Sequence, residues 1–177
     1  MVDPRVAELE ARGQSILRDP ASFPKAALLE NRAVIFQLWH YPSFAAWKSW
    51  TVYSRGSAPA DVVRRATWKQ HTDLEAMNNP LQVAIRLGST DPTIEIIDAP
   101  LDEEKVECWL HELSRIRIPL VQNHSIGCDG ESFGIRCGDS FQGMKFNWWS
   151  GGPEEWTELI QFCERVRAGC ETLFPRN

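Results

Sequence analysis

The sequence lacks the features that mark several large classes of protein. It carries 19 lysine and arginine residues against 24 aspartate and glutamate residues, a net charge of -5, whereas nucleic-acid binding depends on an excess of cations that neutralise phosphates. Polar residues interrupt its apolar stretches well short of the roughly 20 apolar residues that a membrane-spanning helix needs. The first residues are rich in acids and contain a proline, unlike a secretory signal. We therefore expect no nucleic-acid partner, no membrane association and a cytoplasmic location.

Several motifs for catalysis and cofactor binding are also missing. The chain has no Walker loop, no G-x-G-x-x-G fingerprint and no G-x-S-x-G elbow. Its five cysteines are an odd number and form no C-x-x-C pair, which favours free thiols in a reducing compartment over a disulfide framework. The sequence therefore predicts no cofactor and favours a non-enzymatic role over catalysis.

The composition is that of an ordered globular domain. Hydrophobic residues make up 43% of the 177 residues and charged residues 24%, close to the average of folded proteins. This length suits one domain, 1–177, in which about 70% of the surface of the unfolded chain is buried. We expect residues 1–32 to form a helical segment packed on the body, because Asp3 can cap a helix that Pro4 starts.

Alternating and β-branched runs predict an antiparallel sheet. The run from Ala33 to Trp39 is rich in β-branched and aromatic residues, and Tyr41 with Pro42 is expected to form the turn that ends it. Residues 47–54 and 62–69 alternate in polarity, which is typical of the next two strands of a meander. Residues 93–99 predict a further short strand. The runs S-F-G-I-R-C and M-K-F-N-W-W predict a hairpin near the end of the chain.

Two amphipathic helices are predicted to cover this sheet, and residues 71–89 fit either a helix or a strand. The first helix begins near Asp102, and the second begins at Pro153 and carries apolar residues on one face from Trp156 to Phe174. The apolar residues at helical spacing in the first helix are Val106, Trp109, Leu110, Leu113 and Ile116. The predicted fold class is therefore α+β, a mostly antiparallel sheet with two covering helices and an N-terminal helical segment.

A pair of adjacent tryptophans forms the first candidate binding site. The chain has eight tryptophans, and the side chains of Trp148 and Trp149 must point to opposite faces of a regular strand. Only one of them can face a covering helix, so we expect the other to be at least partly exposed. Exposed aromatic residues are favoured anchors for partners. With Asp129 and the net negative charge, the pair predicts an acidic, aromatic surface that binds another protein.

The loop before the predicted hairpin is a weaker, catalytic candidate. His124, Cys128 and Glu131 place a histidine, a thiol and a carboxylate within eight residues, and these are the groups of nucleophilic and acid–base catalysis. The same loop has a simpler interpretation as a turn at Asp129 and Gly130. Neither Cys128 nor Cys137 lies in a catalytic signature, so the loop supports a small enzyme only as the alternative hypothesis.

Metal binding has little support from the spacing of cysteines and histidines. Cys108 and His111 lie three residues apart on a predicted helix, and His124 lies four residues before Cys128. A closed zinc site needs four ligands in a recognised pattern, and Cys108 beside Trp109 is expected to pack against the sheet. The sequence therefore predicts no metal site.

Several strings in the chain resemble those of a group of short uncharacterised bacterial proteins with no assigned function. They are S-I-G-C-D-G-E-S-F-G, F-N-W-W-S-G-G-P-E-E-W, L-W-H-Y-P-S-F and S-W-T-V-Y. The resemblance covers the chain from about Ala33 onward and implies a bacterial cytosolic protein. In acidity and tryptophan content the chain is also similar to small α+β immunity proteins of bacterial toxin systems. The leading hypothesis is a non-enzymatic binding or interaction module, and the alternative is a small enzyme that uses the loop 124–131.

Overall fold

Six antiparallel strands form one sheet in the computed structural model of the chain, which describes residues 3–20, 29, 32–56, 58–79, 81, 91–119, 130–138 and 143–175. The strands are β1 (Val34–Pro42), β2 (Trp47–Tyr53), β3 (Asp61–Trp68), β4 (Ile94–Leu101), β5 (Glu131–Cys137) and β6 (Met144–Trp149). Their order across the sheet is β4-β3-β2-β1-β5-β6. The predicted meander of β1, β2 and β3 is confirmed, and so are the short strand β4 and the hairpin of β5 and β6.

Four α-helices of the described residues flank the sheet, and two of them begin at an aspartate cap, of which the sequence predicts the one at Asp3. The helices are α1 (Pro4–Arg18), α2 (Gln70–Asn78), α3 (Glu103–Arg115) and α4 (Thr157–Glu171). The Asp3 carboxylate accepts a hydrogen bond from the Arg5 amide at 2.9 Å, and Asp102 accepts one from the Glu104 amide at 3.1 Å. These bonds satisfy amides that have no partner inside the helix. The α+β class is therefore confirmed.

Helices α3 and α4 cover one face of the sheet, which we call the α4 face, and build the main core there. Fully burying an apolar side chain of this kind stabilises the fold by about 1.5–3 kcal/mol. The core side chains come from alternate positions of the strands and from the inner stripes of both helices; they include Phe36, Leu38, Trp50, Val52, Val63, Ile135, Val106, Trp109, Leu159, Phe162, Cys163, Val166 and Cys170. This burial confirms the predicted strand faces and the inward positions of Val106 and Trp109.

Helices α1 and α2 lie on the opposite face, the α1 face, around the buried ring of Trp68. Leu9 and Leu17 of α1 are buried against it. A Cβ atom at Gly13 would overlap the Trp68 ring, so the glycine that weakens α1 as a helix lets α1 approach the sheet. The buried Gln37 amide donates to the Leu17 carbonyl at 2.9 Å and to the Thr51 hydroxyl at 2.8 Å. These contacts fix the C-terminal half of α1 over β1 and β2.

The structure corrects two predicted element ends. Tyr41 and Pro42 do not form a turn, because β1 continues through both and Pro42 pairs with Glu131. The proline needs no amide proton there, since the amide of Ser43 makes the next bond, to the Gly130 carbonyl at 3.0 Å. Helix α4 begins at Thr157 rather than Pro153, after a single 3₁₀ turn at Glu154–Trp156.

The helix α3 exposes two side chains that the sequence analysis places on the sheet. Val106 and Trp109 are buried, whereas Leu110 is 39% exposed and Cys108 is also exposed. Both lie about 100° around the helix from Trp109, which carries them away from the sheet. Within the described ranges, no helix has both the length and the apolar character needed to cross a membrane.

Candidate functional site

Trp148 and Trp149 lie on opposite faces of β6, as the alternation of a strand requires. Trp148 is 7% exposed on the α4 face, where its ring stacks on Phe133 with centroids 6.1 Å apart and meets Trp156 edge-on at 6.3 Å. Trp149 is half-buried on the α1 face. The predicted division is therefore confirmed: Trp148 belongs to the core, and Trp149 is the tryptophan that remains accessible.

Trp149 lines a groove on the α1 face, beside the C-terminal end of α1, which we call the basic groove. Its volume is about 350 Å³, within the range of small-molecule sites. Its cations are Arg18, Arg136 and Lys145, and its aromatic residues are Trp39, Tyr41, Trp47 and Trp149. No aspartate or glutamate is among the described residues that line it. The surface around Trp149 is thus basic, not acidic as the net charge led us to expect.

The pairing of three strands brings the groove residues together. Arg136 on β5 lies opposite both Gln37 on β1 and Lys145 on β6. Lys145, Asn147 and Trp149 follow one another at every second position of β6, and so share one face. Two like charges placed directly opposite on one face destabilise a sheet. The Arg136–Lys145 pair therefore works against stability, which is a common property of residues kept for binding.

Trp39 forms the floor of the basic groove. A Cβ atom at Gly134 would overlap the Trp39 indole, so the missing side chain lets the ring lie flat on β5. The Lys145 ammonium lies over the indole, 5.5 Å from its centroid. This arrangement positions a cation in the groove through a cation–π contact and leaves it without an ion pair among the described residues.

Two polar atoms in the groove residues are buried and lack a hydrogen-bond partner among the described residues: the Tyr41 hydroxyl and Arg136 Nε. Burial raises the pKa of Tyr41 well above its usual value, and the nearby charges of Arg18 and Arg136 only partly offset that rise. The hydroxyl therefore keeps its proton at neutral pH and acts as a donor. Leaving a buried donor unpaired costs about 1–3 kcal/mol, so two residues of the groove wall each carry an unsatisfied donor.

The rim of the groove at Trp149 is tied to the end of β1. The Ser43 hydroxyl donates to the Gly130 carbonyl at 2.7 Å, and the Gly130 amide lies 3.3 Å from the same hydroxyl oxygen. Gly130 lies against the edge of the Trp149 indole, where a Cβ atom would be only 2.7 Å from Nε1. The glycine that the sequence analysis assigns to a turn thus lets the strand ends close around the indole.

A second arrangement of polar groups, the His40 cluster, lies on the α4 face and consists of His40, Glu131, Phe133 and Arg167. The His40 ring stacks on Phe133 with centroids 4.4 Å apart, and its Nε2 lies 3.0 Å from a Glu131 carboxylate oxygen. Arg167 lies 3.2 Å from Nδ1. A guanidinium group can only donate, so Nδ1 accepts and the proton lies on Nε2. Both ring nitrogens are engaged, and the imidazole is not a free base.

The His40 cluster borders a cavity of about 390 Å³ between α4 and the sheet. Burial lowers the pKa of His40, and the Arg167 charge acts in the same direction against the raising effect of Glu131. The ring is therefore neutral at physiological pH. Cys163 also lines the cavity, and burial raises the pKa of its thiol far above neutrality, so it is not a ready nucleophile.

The structure places the predicted catalytic residues only in part. Glu131 is the first residue of β5, on the same face as Trp148, and binds His40. His124, Cys128 and Asp129 lie outside the described residues. Burial raises the pKa of Cys137, another thiol of this hairpin, to about 11, so it stays protonated at neutral pH. Glu131 and Trp149 line different cavities and do not form one site.

The cations of the basic groove are the residues that sequence reasoning missed. Arg136 and Lys145 occupy outward positions of the two runs that predict the hairpin. Pairing these two runs across the turn would have placed the two cations side by side, and this was the signal available in the sequence. Arg18 and Tyr41 gave no signal in the sequence, because their closeness to the hairpin depends on the strand order. Among the described residues no group of three or more histidine, cysteine, aspartate or glutamate side chains is placed to hold a metal ion.

Comparison with known proteins adds no relative to this geometry. No family model matches the chain, no curated protein matches its sequence, and no solved structure matches its fold with significance. Function is therefore argued from the basic groove and the His40 cluster alone.

Proposed function

We propose that the protein is a non-enzymatic binding protein that holds a small organic anion in the basic groove. The observation that carries this proposal is the pair of buried, unpartnered donors, Tyr41 Oη and Arg136 Nε, in a groove lined by three cations and no described acid. An anionic acceptor would satisfy both donors, and charge-assisted hydrogen bonds are about twice as strong as neutral ones. The local charge favours an anion although the whole chain is negative.

A binding role is also favoured over catalysis by what the polar groups already do. His40 has both nitrogens engaged by Glu131 and Arg167, and no histidine of the described residues lines either cavity. Enzymes usually perturb an acid or base within reach of the substrate, whereas the described lining of the basic groove consists of cations, neutral polar side chains, a proline and aromatic rings. The small enzyme based on loop 124–131 stays the alternative proposal, since His124 and Cys128 lie outside the described residues.

A protein partner is the second proposal, and it follows from the hydrophobic turn beside the groove. Phe44 is 86% exposed and adjoins Ser43 on the groove rim. An acidic segment of a partner would occupy the groove while its apolar surface covers Phe44, as the likeness to immunity proteins implies. Binding of such a partner would be weakened by Phe44→Ser, whereas binding of a small anion would not.

Calorimetric titration with inorganic phosphate, pyrophosphate and benzoate tests the proposed function. We expect at least one of these anions to bind the native protein, and Arg136→Gln to weaken that binding about tenfold or more, the loss expected for one hydrogen bond to a charged group. Arg117→Gln removes an equal charge beyond α3 and should leave binding unchanged. Phosphorus NMR should show phosphate and pyrophosphate recovered intact.

The titration has two outcomes that would refute the binding proposal. One is that none of the three anions binds. The other is that Arg136→Gln and Arg117→Gln weaken binding equally, which would mean that the anion is attracted by overall charge and not by the groove. Turnover of pyrophosphate that Arg136→Gln abolishes would replace the binding proposal with an enzymatic one.

A further inference from the structure

The charge of the basic groove exceeds what a simple carboxylate would need. Arg18, Arg136 and Lys145 line one cavity of about 350 Å³ with no described acid among them. None of the three makes an ion pair with another described residue: Arg18 contacts the neutral Gln14 side chain at 3.3 Å, and Lys145 contacts the Trp39 ring. Three clustered cations repel one another until an anion enters, so the groove favours a ligand that carries two or more negative charges.

Trp149 differs from the other aromatic residues of the groove, because no aromatic ring or cation of the described residues lies against its indole. Trp47 stacks on Tyr41 with centroids 4.9 Å apart, and Trp39 lies between β5 and Lys145. Trp149 makes no ring stacking and no cation contact with any described residue. Indole faces of this kind take up planar aromatic rings by stacking. The groove therefore presents a stacking surface as well as an anion site.

The spacing along β6 sets these two features side by side. Lys145, Asn147 and Trp149 occupy alternate positions on the same face, so about 7 Å separates each from the next. A cation, an amide and an indole thus follow one another along the groove. The Asn147 amide offers both a donor and an acceptor, the combination that reads the edge of a heteroaromatic base.

We propose that the ligand of the basic groove is a phosphate ester of a flat aromatic group, of which a nucleoside 5′-phosphate is the representative case. The aromatic ring stacks on Trp149, and the phosphate oxygens accept hydrogen bonds from Arg136 and Tyr41 with Lys145 and Arg18 completing the charge. This inference rests on the proposed function, since it names the ligand class of the same groove. The phosphate is supplied by a free nucleotide or by the end of a single strand.

Three probes separate the parts of this ligand: adenosine 5′-monophosphate, ribose 5-phosphate and adenosine. We expect the monophosphate to bind about tenfold more tightly than ribose 5-phosphate, the contribution of one stacked base. The affinity of the monophosphate should also exceed that of adenosine, which lacks the phosphate, by about tenfold or more. Calorimetry gives the affinities, and quenching of tryptophan fluorescence by the monophosphate reports the stacking.

Two substitutions assign the contributions to residues. Trp149→Leu should weaken binding of the monophosphate about tenfold and leave ribose 5-phosphate unchanged, whereas Trp149→Phe should retain most of the affinity because it keeps an aromatic face. Arg136→Gln should weaken both phosphates, and Arg117→Gln neither. The unfolding midpoint of each variant confirms that the fold is intact. If the leucine variant unfolds, Trp149→Phe is the test, because it should bind the monophosphate with less quenching of tryptophan fluorescence, and undiminished quenching would contradict stacking on Trp149.

The outcomes distinguish this inference from the proposed function beneath it. If ribose 5-phosphate binds as tightly as the monophosphate and Arg136→Gln still weakens it, the aromatic part is wrong while anion binding stands. If adenosine binds as tightly as the monophosphate, the phosphate part is wrong. If neither phosphate binds, both fail. A 5′-phosphorylated oligothymidylate that binds more tightly than thymidine 5′-monophosphate identifies a strand end as the source, and weaker binding identifies the free nucleotide.

Discussion

Arg136 and Lys145 face each other across the β5–β6 hairpin, and both line the basic groove. Neither has an ion-pair partner among the described residues. Cross-strand pairs of opposite charge stabilise a sheet, and pairs of like charge destabilise it by a similar amount. This pair therefore weakens the sheet at a place whose surface suits an anion, and this relationship leads to the first prediction.

Arg136→Gln should stabilise the ligand-free protein. It removes the repulsion from Lys145 and the unpartnered Arg136 Nε, and the expected gain in the free energy of unfolding is about 0.2–1 kcal/mol. The gain should shrink at high salt, where exposed charges are screened. Urea unfolding at low and high salt measures both effects. A loss of stability at low salt, relative to Arg117→Gln, would contradict the like-charge interpretation.

Gly134→Ala should destabilise the protein and disturb the groove floor. The added Cβ atom overlaps the Trp39 indole, and overpacking of this kind typically costs about 1–3 kcal/mol. Displacing the ring should also release the Lys145 ammonium from its contact with Trp39. Gly151→Ala is the matched control, because a Cβ atom there meets nothing within 4 Å. Equal urea midpoints for the two variants would show that Trp39 does not lie on Gly134.

Gly13→Ala sets helix propensity against packing. Alanine favours a helix over glycine by about 1 kcal/mol, but its methyl group would overlap the Trp68 ring beneath α1 at a cost of about 1–3 kcal/mol. We expect the cost of the overlap to exceed the gain in helix propensity, so that Gly13→Ala is less stable than the native protein. Ser15→Ala, at an exposed position of the same helix, should instead be slightly stabilising. A stabilising Gly13→Ala would mean that α1 does not press on Trp68.

His40 should make stability depend on pH in the weakly acidic range. In the folded protein, burial lowers the pKa of His40 below its ordinary value of 6.5. The unfolded chain therefore binds a proton at His40 more readily than the folded one. Stability from this residue is therefore complete above pH 6.5 and is lost as the pH falls from there through the lower folded value.

His40→Gln should reduce this pH dependence. Urea unfolding, followed from neutral pH down to about pH 5, where the carboxylates begin to titrate, compares the variant with the native protein. Protonated His40 would turn Nδ1 into a donor facing Arg167, so the loss should appear only while the histidine is present. Equal slopes of stability against pH in the two proteins would refute this role of His40.

The sheet and its covering helices are predictable because their signals are local. Alternation along 47–54 and 62–69 fixes which residues face the core, and helical spacing places Val106 and Trp109 inward. The predicted end of β1 was wrong, because the prediction relied on the preference of proline for turns. In the structure, Pro42 lies at the end of the strand, where its missing amide proton is not needed. Local patterns do not report such tertiary hydrogen bonding.

The basic groove is not predictable in the same way, because its residues come from three distant parts of the chain. Arg18 ends α1, Tyr41 lies near the end of β1, and Arg136 and Lys145 belong to the last hairpin. They meet only because β5 pairs with β1 and not with β4. Net charge was also a poor guide, since a chain of charge -5 can gather its cations on one part of its surface.

The strand order has a consequence for how copies of the chain behave toward one another. Strands β4 and β6 are the edges of the sheet, and an open edge is a template on which a strand of another molecule can add. Lys145 on β6 and Pro100 on β4 are residue types that block such growth, the first by charge and the second by its missing amide proton. Lys145, a cation of the basic groove, therefore also protects the protein from edge-to-edge aggregation.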